Sequence, residues 1–147
     1  MKIEDIVKTI AGFGGAVIGQ PASTANMERC IKRLADELCL FLPDDYFVFL
    51  GKYNGFAWNG VEFYGTDPEV DQEIHYVVVD VVFATLSLHK YNKVYLERTL
   101  IGRSDEEVYV YNMQSFRYEA LDIAGHEVIE EWRTFEELFL DVVVPRM

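Results

Sequence analysis

The chain has 147 residues, with 25 Asp and Glu against 13 Lys and Arg for a formal net charge of −12. That balance argues against nucleic acid and anionic membrane surfaces, whose phosphates attract positive charge, and makes a basic protein the natural complement. Hydrophobic residues at 50% and aromatics at 14% exclude a disordered chain and suffice for one core, so residues 1–147 read as a single domain.

In chain order, Ile3, Ile6, Val7 and Ile10 fall at helical spacing and predict a short helix over 2–11, broken by Gly12, Gly14 and Gly15. A second helix is expected from Ser23 or Thr24, either a competent N-cap, to Leu38. Its expected buried stripe is Met27, Ile31, Leu34, Ala35 and Leu38. Pro43 suits the first position of a third helix, with Asp44 and Asp45 at its positive end. Tyr46, Phe49, Leu50 and Tyr53 supply its apolar face, and Asn54-Gly55 its stop.

Beyond Gly55 the period shifts toward two. Val61–Tyr64 and Leu100–Gly102 read as strands, and Val108–Asn112 with Arg117–Asp122 as a hairpin turning near Gln114-Ser115. Glu127–Trp132 adds a short strand. Asp80 as N-cap and His89-Lys90 near the end favour a helix over 80–91, and Thr134-Phe135-Glu136-Glu137 is a capping box opening a helix Phe135–Val143. The expected class is α+β, an antiparallel sheet flanked by helices. Residues 66–92 are the hardest part to assign.

If Cys30 and Cys39 lie on one helix, nine residues at about 1.5 Å each set them too far apart to pair, and two unpaired thiols suit a reducing compartment. No apolar run approaches the roughly 18 residues of a membrane span. Residues 9–19 are apolar enough to suggest a leader, but Glu4 and Asp5 stand where a leader carries positive charge, so a cytoplasmic location is expected.

No residue set has the spacing of a reactive centre. His75, His89 and His126 share no metal-ligand pattern and read as solvated. His126-Glu127-Val128-Ile129-Glu130 lacks the second histidine of a zinc-protease helix. The alternating acids Asp67, Glu69, Asp71 and Glu73 resemble a calcium loop, but Gln72 replaces its glycine and Val78 its final glutamate, leaving a solvated acidic loop. No metal and no cofactor are expected.

Acid is unevenly placed. Residues 62–80 hold Glu62, Asp67, Glu69, Asp71, Glu73 and Asp80 with no base, and residues 104–145 hold eleven acids against Arg117 and Arg133. One reading is a surface that only keeps the domain in solution; the other is a face for a basic partner.

Leu42-Pro43-Asp44-Asp45-Tyr46-Phe47-Val48-Phe49-Leu50-Gly51-Lys52-Tyr53-Asn54-Gly55 resembles the signature of the SUKH superfamily, which includes the Smi/Knr-type regulators of fungal glucan synthesis. The later strands and the Phe-Glu-Glu-Leu helix fit the same pattern over most of residues 23–143, and residues 66–92 depart from it. The resemblance implies an α+β, non-enzymatic binder: an immunity-type protein that occludes a polymorphic toxin or, as the alternative, a regulatory scaffold. A hydrolase using an acid pair is the reading from a different class.

Under this reading Leu42, Pro43, Tyr46, Phe49, Leu50, Asn54 and Gly55 are structural. The candidate contacts for a basic toxin domain are Asp67, Glu69, Asp71, Glu73, Asp105, Glu106 and Glu107. Trp58, placed in a loop Phe56–Asn59, is either an aromatic anchor or a ring folded onto the sheet edge.

Overall fold

The computed structural model describes residues 1–73 and 75–147. Helix α1 (Ile3–Ala11) buries Ile6, Val7 and Ile10, and a two-residue strand β1 (Val17–Ile18) follows the glycines. Helix α2 (Thr24–Leu38) starts at Ser23, whose hydroxyl accepts from the Asn26 amide. Its buried residues are Cys30 and Leu34, with Met27 and Leu38 packed beside them; Ile31 is 49% exposed and Ala35 is exposed too. The buried stripe is therefore rotated by about one residue from the expected one, with Cys30 rather than Ile31 facing the core.

Helix α3 (Asp44–Leu50) has Pro43 as its N-cap and ends at Gly51, earlier than the expected Asn54-Gly55 stop. Leu42, Tyr46, Phe49 and Leu50 are all buried, as the sequence indicated. Tyr53 lies beyond the helix, half-buried with its ring 5.7 Å from that of Phe49. Asn54 is buried, its side chain accepting from the Thr66 amide at 2.7 Å and donating to the Thr66 hydroxyl at 2.9 Å, and Gly55 turns the chain with φ of 106°.

Strands β2 (Phe56–Trp58) and β3 (Val61–Phe63) form a hairpin, and β4 (Glu69–Asp71) and β5 (Tyr76–Val78) a separate one. Of the acids read as a loop, Glu69, Asp71 and Glu73 thus belong to a hairpin and its turn, while Asp67 lies in the bend before β4; position 74 lies outside the described residues. Helix α4 (Val81–Tyr91) has the expected N-cap, the Asp80 carboxylate accepting from the Phe83 amide. Strands β6 (Arg98–Arg103), β7 (Glu107–Asn112), β8 (Arg117–Asp122) and β9 (Val128–Trp132) then run to helix α5 (Phe135–Val143), whose bounds match the sequence reading.

The class is α+β. Seven antiparallel strands are ordered β1-β2-β3-β6-β7-β8-β9, with a bulge in β6 between Leu100 and Gly102 and another in β9 opposite Ala120/Leu121. Phe63 and Tyr109 point to one face, where Phe49 of α3 and Phe135 and Phe139 of α5 complete an aromatic core. Side chains alternate along a strand, so Glu62 and Val108 point to the other face, where α4 packs on β6. Gly102 makes the β3–β6 contact close: a Cβ there would stand 2.3 Å from the Glu62 carbonyl oxygen.

Asp45 does more than favour its own helix dipole. Its carboxylate accepts from the Phe135 amide at the start of α5 (2.7 Å) and from the Tyr118 hydroxyl (2.6 Å), tying α3, α5 and β8 together.

Candidate functional site

The β2–β3 hairpin turns at Asn59-Gly60, both left-handed with φ of 48° and 82°, the conformation of a two-residue turn that matches strand twist. This turn places Trp58 at the end of β2 opposite Val61, not in a loop. Trp58 is half-buried, with Phe13 6.0 Å away ring to ring. It opens onto a cavity of about 310 Å³ that is also lined by Glu62, Tyr76, Arg103, Ser104 and Asp105.

Glu62 lines this cavity and is 8% exposed. One carboxylate oxygen accepts from the Tyr64 hydroxyl (3.3 Å) and faces the Arg103 Nε (3.1 Å); the other accepts from the Tyr76 hydroxyl. Burial, reinforced by the hydrogen bond to Glu62 and its charge, pushes the Tyr76 hydroxyl up to about 12. A carboxylate held by two phenols and a guanidinium is a strut more than a free base, since both oxygens are engaged.

Asp105 also borders a second concavity, of about 350 Å³, with Glu106, Glu107, Asp122, Ile123 and Ile129. The Ser104 hydroxyl accepts from the amides of Glu106 (3.3 Å) and Glu107 (3.2 Å) and so fixes the β6–β7 loop. Glu107 stands directly opposite Asp122 in the ladder. Like charges so placed destabilise the pair, which a cation would relieve. Burial raises the Glu107 carboxyl above its ordinary value, and the charges of Glu106 and Glu130 raise it further.

The hairpin acids are placed differently. Asp67 meets Arg29 at 3.3 Å and accepts from the Thr66 hydroxyl at 2.7 Å, so its charge is partly offset. Glu69 is half-buried, Asp71 accepts from the Glu73 amide, and Glu73 is exposed at the turn. Asp71 lies opposite Tyr76, which walls the Trp58 cavity, so the two acidic stretches border the same region of the molecule.

The candidates therefore divide. Trp58 and Asp105 line one cavity, and Asp105, Glu106, Glu107 and Asp122 line another; the hairpin acids sit alongside, and the signature residues Leu42, Tyr46, Phe49 and Leu50 are core. Glu62, Tyr76, Arg103 and Asp122 were not singled out in the sequence. Only Asp122 had a clear signal, since a hairpin turning at Gln114-Ser115 sets residue 107 against 122. The histidines need correction: His126 Nδ1 bonds the Tyr95 hydroxyl at 2.7 Å and His89 Nε2 the Arg98 carbonyl at 2.9 Å, leaving only His75 exposed.

No protein-family model matches the chain, and no curated protein matches it. Among the described residues no group of three or more His, Cys, Asp or Glu is placed to hold a metal ion. No helix among them is long and apolar enough to cross a membrane.

Proposed function

We propose that this chain is a non-catalytic protein-binding domain of the SUKH type, an immunity-type protein of the cytoplasm that occludes a basic toxin domain. The observation that carries this reading is the convergence of Asp105, Glu106, Glu107 and Asp122 on one concavity with no base in its lining, next to the Trp58 cavity. Four acids line that one concavity, with Glu106 raising the Glu107 carboxyl, and a Lys or Arg from a partner meets this negative lining with attraction. Trp58 offers a large, half-buried ring beside them, the residue type most often dominant in interfaces. The engagement of both Glu62 oxygens supports a binding role over an acid–base one.

The test is quantitative capture from the native host on immobilised protein, wild type beside the triple variant Asp105→Lys, Glu106→Lys, Glu107→Lys. The reading predicts a basic protein retained by the wild type and lost from the variant, with both baits equally folded. Retention of the same proteins by both baits contradicts it.

A further inference from the structure

Strand β9 is one outer edge of the seven-stranded sheet. The opposite edge, β1, is two residues long and its Val17 is buried, so it offers little to pair with. In β9 the first four residues, Val128, Ile129, Glu130 and Glu131, are all exposed, and only Trp132 is buried. Its inner side pairs with β8, and no other strand pairs with it among the described residues. An exposed edge of this kind is a template for another strand.

The side chains of β9 lead into recesses. The ladder pairs Leu121 with Val128 and Ala120 with Glu130, so Ile129 is the extra residue of the bulge. Ile129, 55% exposed, borders the concavity of Asp105, Glu106, Glu107 and Asp122. Glu130 borders a different one, of about 330 Å³, with Glu107, Trp132, Asp141 and Arg146. An added strand places every second side chain on one face, so adjoining recesses along an edge, here sharing Glu107, give it specificity while backbone hydrogen bonds give it affinity.

Charge selects the occupant. A second copy laid antiparallel over the centre of β9 would set Glu130 against its own counterpart, and in the next register against Glu131, an opposition of like charge that disfavours self-pairing. The two recesses together carry six acids, Asp105, Glu106, Glu107, Asp122, Glu130 and Asp141, against Arg146 alone. An extended segment with cationic side chains, and apolar ones to cover Val128 and Ile129, meets both requirements.

We propose that β9 takes up an extended basic segment of the partner protein as an additional strand. This rests on the reading that the acidic end of the sheet binds a basic protein, and it specifies the form in which that partner arrives.

The probe is a peptide of about eight residues alternating Lys and Val, a length suited to an edge strand. Two copies with the same side chains are N-methylated on every second amide, one in each frame. The charge is identical, but in one frame the donors facing β9 are gone. The expected result is slowed amide exchange within residues 128–132 on adding the parent peptide, and binding weaker by about tenfold or more for one methylated frame, from the loss of several hydrogen bonds. Equal binding by all three peptides, protection elsewhere without protection of β9, or no binding at all overturns the edge proposal. None of these results bears on the capture experiment, so the acidic-face reading stands or falls separately.

Discussion

Arg98 and Glu119 carry the most consequential buried polar contact. Glu119 is 2% exposed on β8, and its carboxylate accepts from the Arg98 Nε at 2.7 Å and from the Asn112 side-chain amide at 3.2 Å. Removing the cation leaves a buried charge without its counter-ion, so Arg98→Ala is expected to cost about 3–5 kcal/mol in urea unfolding. Tyr46 presents the neutral case. It is fully buried and its hydroxyl donates to the Tyr64 carbonyl, so Tyr46→Phe removes a donor while keeping the ring and is expected to cost about 1–3 kcal/mol. Tyr46→Ala also opens a cavity and costs about 3–5 kcal/mol. The buried tyrosines set the alkaline limit of the fold. Burial pushes the Tyr109 hydroxyl up to about 12 and raises those of Tyr46 and Tyr118 well above the ordinary 10.0. Above about pH 10 the unfolded chain loses these protons first, so the folded state binds more protons and stability falls as pH rises through about 12. Urea midpoints measured at about pH 9 and about pH 11 should drop over that interval; a flat profile contradicts the burial of these rings.

Among the elements, the last helix and the central glycine give the sharpest tests. The Thr134 hydroxyl accepts from the Glu137 amide at 3.2 Å, and the Glu137 carboxylate accepts from the Arg133 amide, one residue earlier than a reciprocal box requires. Thr134→Ala is expected to lower stability by about 1 kcal/mol in the same assay. Gly102→Ala is more severe, because its Cβ would meet the Glu62 carbonyl and the Phe63 ring. Overpacking against backbone costs about 1–3 kcal/mol or more, and loss of the β3–β6 ladder should appear as faster amide exchange in both strands. At this scale the sequence was most informative where punctuation and periodicity agreed: the Asp80 and Thr134 caps and the hairpin of 108–112 with 117–122 were legible in it, the first strand starting one residue earlier in the structure. Periodicity misled at Ile31, where a bulkier residue next to a buried cysteine satisfies the same spacing. It also passed over β2, although Asn59-Gly60 between Phe56-Ala57-Trp58 and Val61 is a hairpin signal. The β4–β5 hairpin had no such signal, because exposed Val70 and Val77 pair across it and Val78 alone of its strand residues is buried, too little to impose an alternation.

For the whole molecule, the candidate site was half legible. Clustering of acid along the chain marked Asp105, Glu106 and Glu107, and the hairpin turn pointed to Asp122 opposite Glu107, but only the folded structure brings Tyr76 and Arg103 to the Trp58 cavity. Chain-order charge alone gave the 67–73 acids equal weight, whereas Arg29 partly offsets Asp67 and the hairpin stands beside the concavity rather than around it. The central claim is that the acidic end of the sheet receives a basic protein, and the association rate with the captured partner tests it most directly. Complementary fields raise such rates by about 10–10³-fold, and the gain fades as salt shortens the Debye length from about 10 Å at 0.1 M toward 3 Å at 1 M. The account predicts that Asp105→Lys, Glu106→Lys, Glu107→Lys slows association by at least about tenfold at low salt, with the difference shrinking at high salt. Equal rates for wild type and variant, indifferent to salt, would contradict it.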